Sequence, residues 1–246
     1  MVTLIAILGV AVGVMTVTVV LAVMNGFDKE LEEKITRNLS PLIVERYGGL
    51  KNYNEIIAQL EKMERVKSAT PFVRGQGLLR YGERIYGLSI IGVDTSGYTI
   101  EGIKFGMNDL GGKVRFENRK RVEVSGIIVG AELAHRLGVT VGARVKCISG
   151  ALSKNSGTLS PSLVEYEVRG IFASGMYEID NSLGYISLSS AQELFRTGDS
   201  VSGIEVRPDD IYVAGELARK IETVLGPSFV ATSWMETQES FFSIAS

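Results

Sequence analysis

The first 27 residues of the chain carry no charged side chain, and this run constrains the fold more than any other feature of the sequence. The first charge is Asp28, and the residues from Met1 to Phe27 are mostly apolar, small or hydroxylated. About 20 residues of helix cross the hydrocarbon core of a bilayer. A single segment in lipid can satisfy its backbone hydrogen bonds only as a helix. The run therefore predicts a transmembrane helix, despite its many β-branched residues.

A cleaved signal peptide and a buried soluble helix are the alternatives for this run. A signal peptide needs a basic start, an apolar stretch of about 7–15 residues and a small-x-small cleavage site. The chain has no Lys or Arg before Lys29, and the run ends in Met24, Asn25, Gly26 and Phe27. We therefore interpret the segment as a retained span.

Two further features accompany the predicted span. Gly9 and Gly13 form a small-xxx-small pair. Such a pair lets a second helix approach closely, but Gly is also common in membrane helices, so both interpretations stay open. From Phe27 to Leu39 apolar residues recur every four positions, which predicts an amphipathic stalk. Pro41 ends this stalk because the residue before a proline disfavours helix.

Composition and charge exclude several classes of protein. The chain of 246 residues is 45% hydrophobic and 22% charged, which is enough for a folded core. Its 26 basic and 28 acidic residues give a net charge of −2, so no global field attracts nucleic acid. The single Cys147 and the single His135 exclude an internal disulfide and a Cys/His metal cluster. We therefore predict no metal site and no nucleic-acid partner.

The periodicity after residue 40 predicts an α+β fold. Strand-helix-strand patterns occur at both ends of this region and make a split βαβ layer. The predicted strands are Leu42–Arg46, Val66–Tyr81, Gly203–Arg207 and Ser228–Thr232, and the predicted helices are Asn52–Glu64 and Ile211–Leu225. Residues 82–202 carry short apolar strands and Gly-rich turns, which indicate an inserted, mostly β subdomain.

These patterns divide the chain into five segments. Residues 1–39 are the transmembrane helix and stalk, 40–81 and 203–235 the two parts of the split layer, 82–202 the insertion, and 236–246 the start of a return to the membrane. The last segment follows Trp234 and contains Phe241 and Phe242, and aromatic residues of this kind suit a membrane interface. We therefore expect the sequence to be truncated.

No motif in the sequence predicts catalysis. A phosphate-binding loop needs Gly, four residues and then Gly-Lys-Ser/Thr, but Gly112-Lys113 has Met107 in the leading position and Val114 after the Lys. Neither a GxGxxG dinucleotide fingerprint nor a GxSxG nucleophile elbow occurs. His135 lies in a predicted short helix, where a surface or capping role explains it. We expect no catalytic residue and no bound cofactor in this chain.

A segment rich in Ser, Gly and Pro separates two predicted strands, Ala143–Ser149 and Leu163–Ala173. Residues 150–162 are far longer than the usual hairpin loop of about 2–5 residues. Long loops in compact domains tend to be functional or disordered, so we interpret this one as a partner-binding loop, with a floppy tip as the alternative. Leu152 and Leu159 are its only large apolar residues and are candidate anchors.

The order of motifs resembles the LolC/LolE family, the permease subunits of the ABC transporter that releases lipoproteins from the bacterial inner membrane. The resembling segments are residues 4–14 leading to 23–27, 127–134 with 137–142, 170–180 continuing through 185–188, and 234–236. MacB-like and FtsX-like transporter subunits share the topology and are the alternative, with roles in mechanotransmission, efflux or cell-division signalling. An enzyme or a ligand-binding periplasmic domain is the alternative from another class.

The resemblance implies an inner-membrane protein with most of its chain in the periplasm. It implies one transmembrane helix, a split porter subdomain, an inserted sabre subdomain and three further spans that this chain lacks. It also implies several partners: an ATPase subunit of LolD type that binds ATP and Mg²⁺, a second permease subunit or second copy, a lipoprotein substrate and a soluble carrier of LolA type. The chain itself is then not an enzyme.

The resemblance also assigns roles to residues. The carrier-binding hook of the family falls on the loop at 150–162, and the implied contacts are Leu152, Ser156, Gly157, Thr158, Leu159, Ser160, Pro161 and Ser162. A lipoprotein's acyl chains are placed beside the end of the span, at Met24, Asn25 and Phe27. Ordinary packing at the membrane interface is the alternative for these three residues.

Overall fold

The computed structural model describes residues 3, 7, 9–24, 41–94, 104–105, 125–152 and 159–236. The chain divides into two units, Met1–Leu39 and Ser40–Ser246. In the first unit residues 9–24 form helix α1. Among the described residues, no helix has the length and hydropathy that crossing a bilayer requires. The predicted stalk at 27–39 and most of the predicted return at 236–246 lie outside the described residues.

The second unit is a mixed α+β structure. Its strands are β1 (Leu42–Leu50), β2 (Val66–Tyr81), β3 (Arg84–Val93), β4 (Lys104–Phe105), β5 (Ser125–Gly130), β6 (Arg144–Leu152), β7 (Leu159–Ala173), β8 (Leu183–Ser187), β9 (Val201–Pro208) and β10 (Phe229–Ser233). Its helices are α2 (Tyr53–Leu60), α3 (Ala131–Leu137), α4 (Tyr177–Ser182), α5 (Leu188–Phe195) and α6 (Ala214–Leu225), with a 3-10 turn at Ile211–Val213. The predicted α+β class is confirmed.

Four antiparallel strands form one end of the sheet, in the order β10-β1-β9-β2. Strands β1 and β2 therefore run parallel with β9 between them, which is the strand order of a split βαβ layer. Helix α6 places Leu217 and Ile221 in a core with Leu42 and Val44 of β1 and Ile204 of β9. Burying each such side chain contributes about 1.5–3 kcal/mol. These apolar contacts hold the layer together.

Strand β2 continues out of this layer into a second structure. Its second half pairs with β3 along the whole length from Phe72 to Tyr81 and also with β6 at Gly77–Arg80. Strands β3, β8, β5, β7 and β6 follow as successive neighbours, so the β2–β6 pairing closes a ring of six strands. Buried side chains such as Leu79, Cys147 and Tyr166 fill the ring. We call this ring the barrel.

The predicted insertion corresponds only in part to the barrel. Residues 82–202 contain strands β3 to β8, as the mostly β prediction requires. The predicted boundary at residue 81 falls at the end of β2, although the second half of β2 is already barrel wall. Residues 40–246 also form one compact unit. The division into porter and sabre subdomains therefore stays a prediction.

Several predicted elements differ from the observed ones. The helix predicted at Asn52–Glu64 ends at Leu60, because residues 61–65 turn and Arg65 adopts a left-handed φ of 72°. Helix α4 was not expected, since six residues are too few to show a helical period. The helix predicted from Ile211 begins as a 3-10 turn, where the Asp210 carboxylate accepts a hydrogen bond from the Tyr212 N–H at 3.0 Å.

Candidate functional site

The predicted binding loop is mostly a β-hairpin, so the expectation of a thirteen-residue loop at 150–162 is wrong. Strand β6 runs to Leu152 and β7 begins at Leu159, and Gly150 faces Pro161 across the pair. Gly, Ser and Pro usually mark loops. Among the described strands β7 has a neighbour on one side only at this point, and a proline without an N–H is tolerated at such an edge.

The hairpin extends beyond the barrel wall. Strand β6 is paired with β2 as far as Ser149, and β7 pairs with β5 only from Tyr166 onward. The segments 150–152 and 159–162, here called the arm, therefore belong only to the β6–β7 pair and are paired with no other described strand. The arm consequently extends the β6–β7 hairpin past the last residues that pair with β2 and β5.

The arm holds five of the eight predicted hook residues in strand register. Leu152 faces Leu159, and this is the last described pair before residues 153–158, here called the tip. Ser160 faces Ala151. Pro161 and Ser162 lie closer to the barrel. The remaining three, Ser156, Gly157 and Thr158, lie outside the described residues. Their predicted contacts, like those of the other five, stay predictions.

A row of apolar side chains crosses the outer wall of the barrel at the root of the arm. Gly87 of β3 faces Leu78 of β2, Leu78 faces Ile148 of β6, and Ile148 faces Leu163 of β7. Leu78 is 45% exposed and Leu163 is 62% exposed. Successive side chains of a strand point to opposite faces, so this row lies outside while Leu79 and its neighbours are buried inside. We call these four residues the outer row.

The outer row was not expected from the sequence. The alternation of β6 places Ile148 on the same face as the exposed Arg144 and Lys146, and one apolar residue on a polar face does not by itself indicate a surface patch. One residue of the row does give a signal in the sequence, because Leu163 is a large apolar residue directly after a predicted loop. Only the pairing of strands distant in sequence brings Leu163 beside Leu78.

An open groove of about 700 Å³ lies beside three residues of the outer row and reaches the arm. Leu78, Gly87 and Ile148 line it from the barrel, and Gly150 and Pro161 line it from the arm. A Cβ atom at Gly87 would meet its nearest neighbour, Leu78 Cδ2, only at 4.0 Å. Gly87 therefore adds no side chain to this part of the groove.

A row of charged residues lies next to the outer row on the same face. Arg80 of β2 faces Lys146 of β6, which faces Glu165 of β7. Arg144 Nη1 lies 3.4 Å from Glu165 Oε1. All four side chains are exposed. An apolar centre with a polar, charged rim is typical of surfaces that dock another protein.

Two of the segments that carry the family resemblance meet at a close backbone contact. A Cβ atom placed on Gly130 would lie 2.1 Å from the carbonyl oxygen of Asp180. The Asp180 carboxylate is buried and accepts a hydrogen bond from the Ser174 N–H at 2.8 Å. Gly175, in the turn between them, has a φ of 80° that favours glycine. These residues fix helix α4 against the start of α3 and have a structural role.

The buried titratable groups of the barrel are held neutral. Burial raises the pKa of the Cys147 thiol to about 12. Burial also raises the pKa values of the Tyr166 and Tyr185 hydroxyls well above their ordinary range. A buried protonated thiol is a poor nucleophile. Among the residues that the structure describes, no group of three or more His, Cys, Asp or Glu side chains is placed to hold a metal ion.

The N-terminal unit contains the other predicted site residues. Cβ atoms on Gly9 and Gly13 of helix α1 would meet nothing within 4 Å, so this face is open in the single chain. Met24 at the end of α1 is 60% exposed. Asn25 and Phe27 lie outside the described residues. The helix-packing and lipid-facing roles of these residues stay predictions.

Comparison with known proteins identifies relatives along nearly the whole chain. The model of a family described as the MacB-like periplasmic core domain matches residues 3–224. The lipoprotein-releasing system transmembrane protein LolC of Neisseria meningitidis is 29% identical over 98% of this chain and 58% of its own length. LolC of Xylella fastidiosa is 27% identical over 97% of this chain and 56% of its length. LolE of Haemophilus influenzae is 24% identical over 85% and 50%. The chain therefore spans little more than half the length of these relatives.

Solved structures share the fold at low sequence identity. The extracellular domain of the noncanonic ABC-type transporter YknZ from Gram-positive bacteria superposes with a TM-score of 0.52 and 15% identity, covering 78% of this chain and 99% of that domain. The periplasmic region of MacB from Actinobacillus actinomycetemcomitans gives a TM-score of 0.51 and 13% identity, covering 84% and 95%. At such identities the likeness concerns the fold alone.

Proposed function

The chain belongs to the family of MacB-like periplasmic core domains, and on this premise we propose that it is part of a permease subunit of an ABC transporter that extracts lipoproteins from the bacterial inner membrane. The relatives named LolC and LolE support lipoproteins as the substrate. In this proposal α1 belongs to a membrane span, and most of the chain lies in the periplasm. The extracted lipoprotein passes to a soluble carrier of LolA type.

The observation that carries the proposal is the arm together with the outer row at its root. A docking surface needs an apolar anchor that loses contact with water and a rim that keeps water away. Leu78 and Leu163 supply exposed apolar area, and Arg80 and Lys146 supply the rim. In this proposal the carrier contacts both the predicted hook residues and the outer row.

The hydrogen-bonded arm also lowers the cost of docking. Ordering a flexible loop on binding costs conformational entropy. Here the strands are already paired as far as Leu152 and Leu159, and Pro161 further limits the backbone. The paired residues of the arm therefore contribute less to this cost than a flexible loop of the same length would.

The remaining parts of the proposed assembly lie outside the barrel. Gly9 and Gly13 pack against another helix of a permease subunit, and Met24, Asn25 and Phe27 line the path of the lipoprotein's acyl chains. Met is adaptable enough to contact acyl chains of different lengths. ATP and Mg²⁺ bind a separate ATPase subunit of LolD type, so no residue of this chain is catalytic.

A MacB-like or FtsX-like subunit is the second candidate, favoured by the shared fold. The domains of YknZ and MacB superpose on 78% and 84% of this chain. A subunit of this kind uses the same fold for mechanotransmission, efflux or cell-division signalling. Binding of a carrier separates the two candidates.

The decisive experiment removes the tip and keeps the arm. Replacing residues 153–158 by Asn-Gly joins Leu152 and Leu159 through a two-residue turn, which directly opposed strand residues accept. The full chain in detergent is titrated with a purified LolA-type carrier by calorimetry. We expect the tip variant to lose carrier binding, with an unchanged circular dichroism spectrum.

A matched pair of substitutions tests the outer row. Leu163→Ser removes an apolar side chain that is 62% exposed. The control Val141→Ser removes one that is 57% exposed. Val141 lies before the first residue of β6, whereas the arm is at the other end of that strand. We expect about tenfold weaker carrier binding for Leu163→Ser, as for a moderate interface anchor, and no change for Val141→Ser. Unchanged affinity in the folded tip variant and in Leu163→Ser would support the MacB-like or FtsX-like candidate instead.

A further inference from the structure

Strand β10 lies at one end of the ten-stranded sheet and has β1 as its only described neighbour. A strand at the edge of a sheet presents unpaired N–H and C=O groups along its free side, and these groups can pair with a strand of another molecule. In an antiparallel pair, alternate residues direct their backbone groups toward the neighbour. The residues between them direct theirs toward the free side.

The residues of β10 whose N–H groups point to the free side are Phe229, Ala231 and Ser233. The Ala231 N–H donates to a carboxylate oxygen of Glu222 at 3.0 Å. The Ser233 N–H donates to a carboxylate oxygen of Glu236 at 3.0 Å. The Trp234 N–H, one residue further along, donates to the Pro41 carbonyl before β1, which confirms the alternation.

The third free-side N–H is also occupied. The Phe229 N–H donates to the Gly226 carbonyl at 3.2 Å, within the turn that follows α6. All three free-side donors of β10 therefore have acceptors from within 10 residues of the chain. Glu236 is held in place in return, because its N–H donates to the Ser233 hydroxyl at 3.4 Å.

We propose that the carboxylates of Glu222 and Glu236 close the free edge of β10 and prevent a second copy of this chain from pairing with it. A pairing strand needs these N–H groups as donors for its carbonyls. The pairing strand also has to approach the carboxylates of Glu222 and Glu236. Their negative charge repels the carbonyl oxygens of that strand, and it repels the same two carboxylates of the second copy. The inference is independent of the proposed transport role.

The second copy is the occupant that the geometry selects. The same edge on two molecules is self-complementary in the antiparallel direction, so two β10 strands pair about a two-fold axis. Val230, which is 57% exposed on the face of this strand, adds apolar contact once the edges meet. The carboxylates are the element that opposes this dimer.

The test compares three full-length variants in detergent. Glu222→Ala with Glu236→Ala removes both acceptors, and Glu222→Gln with Glu236→Gln removes the charge but keeps an acceptor oxygen on each side chain. The control Glu216→Ala removes a carboxylate of the same helix α6, which pairs with Lys220 at 2.8 Å. Hydrogen exchange of the β10 amides and analytical ultracentrifugation are measured on each.

We expect the Ala231 and Ser233 amides to exchange about tenfold faster in dilute double-Ala protein than in wild type, since a hydrogen bond to a charged acceptor is lost. At high concentration the double-Ala variant should sediment as a dimer, and exchange at these amides should slow again. The Gln variant should show a smaller increase, and Glu216→Ala none. A double-Ala variant that stays monomeric at all concentrations, or a dimer whose β10 amides still exchange fast, would overturn the inference.

Discussion

Replacing Gly130 by Ala tests the contact between the start of α3 and helix α4. Gly130 has φ −66° and ψ 152°, a conformation that any residue adopts, so the substitution causes no backbone strain. The added Cβ would lie 2.1 Å from the Asp180 oxygen, 2.6 Å from its carbonyl carbon and 2.7 Å from its Cα. These are backbone atoms, so no side-chain rotation relieves the overlap.

The size of the effect follows from what has to move. The Cβ needs at least 3.0 Å, so α4 must withdraw by about 0.9 Å, the difference between 3.0 and 2.1 Å. Overpacking of this kind costs about 1–3 kcal/mol. Weakening the bond from the Ser174 N–H to the Asp180 carboxylate adds up to about 1.5 kcal/mol. We expect a loss of about 2–4 kcal/mol in the free energy of unfolding.

Thermal unfolding of the full chain measures this loss. For a domain of this size about 1 kcal/mol lowers the melting temperature by about 2–4 °C, so Gly130→Ala should lower it by roughly 5–15 °C. Gly87→Ala is the control, because its Cβ meets nothing closer than 4.0 Å. A melting temperature of Gly130→Ala within about 1 °C of wild type would refute the close approach.

Two further predictions concern buried groups. Because the folded state raises the pKa of Cys147 to about 12 and also raises those of Tyr166 and Tyr185, it holds these protons more tightly than the unfolded chain. The free energy of unfolding should therefore be constant up to about pH 8.5 and fall as the pH rises further, and equilibrium denaturation from pH 7 to 10.5 checks the sign. Trp234→Phe removes the hydrogen bond from Trp234 Nε1 to the Ile211 carbonyl and should lower the free energy of unfolding by about 1 kcal/mol. Urea denaturation measures this loss, and an unchanged free energy would contradict the contribution of that bond.

Local signals in the sequence predicted the elements that local interactions stabilise. The short helix predicted around His135 is observed as α3 (Ala131–Leu137), and Gly138, which follows it, adopts a φ of 74° as a helix-ending residue. Strand β2 was predicted with its observed ends, because a turn with a glycine follows it at Gly82. In both cases the residues that end the element are next to it in sequence.

Pairing between distant segments explains what the sequence did not show. Gly150 and Pro161 belong to strands because they face each other across the arm, although each residue type alone favours a turn. The barrel closes through the pairing of Leu79 with Cys147, which no local pattern encodes. The outer row depends on the same long-range pairings, so the sequence showed only the predicted loop beside it.

The strand order also sets the sequence of events during synthesis. Strand β1 emerges first, yet its partners are β9 and β10, and Val206, which faces Leu42, follows about 160 residues later. At ~5–20 residues per second, a ribosome needs roughly 8–30 s to make that stretch. All the barrel strands lie between Val66 and Ser187 and are complete within this interval. The barrel can therefore form while both edges of β1 are still unpaired. The first strand of the layer to be synthesised thus waits for its partners until the last two described strands of the chain are made.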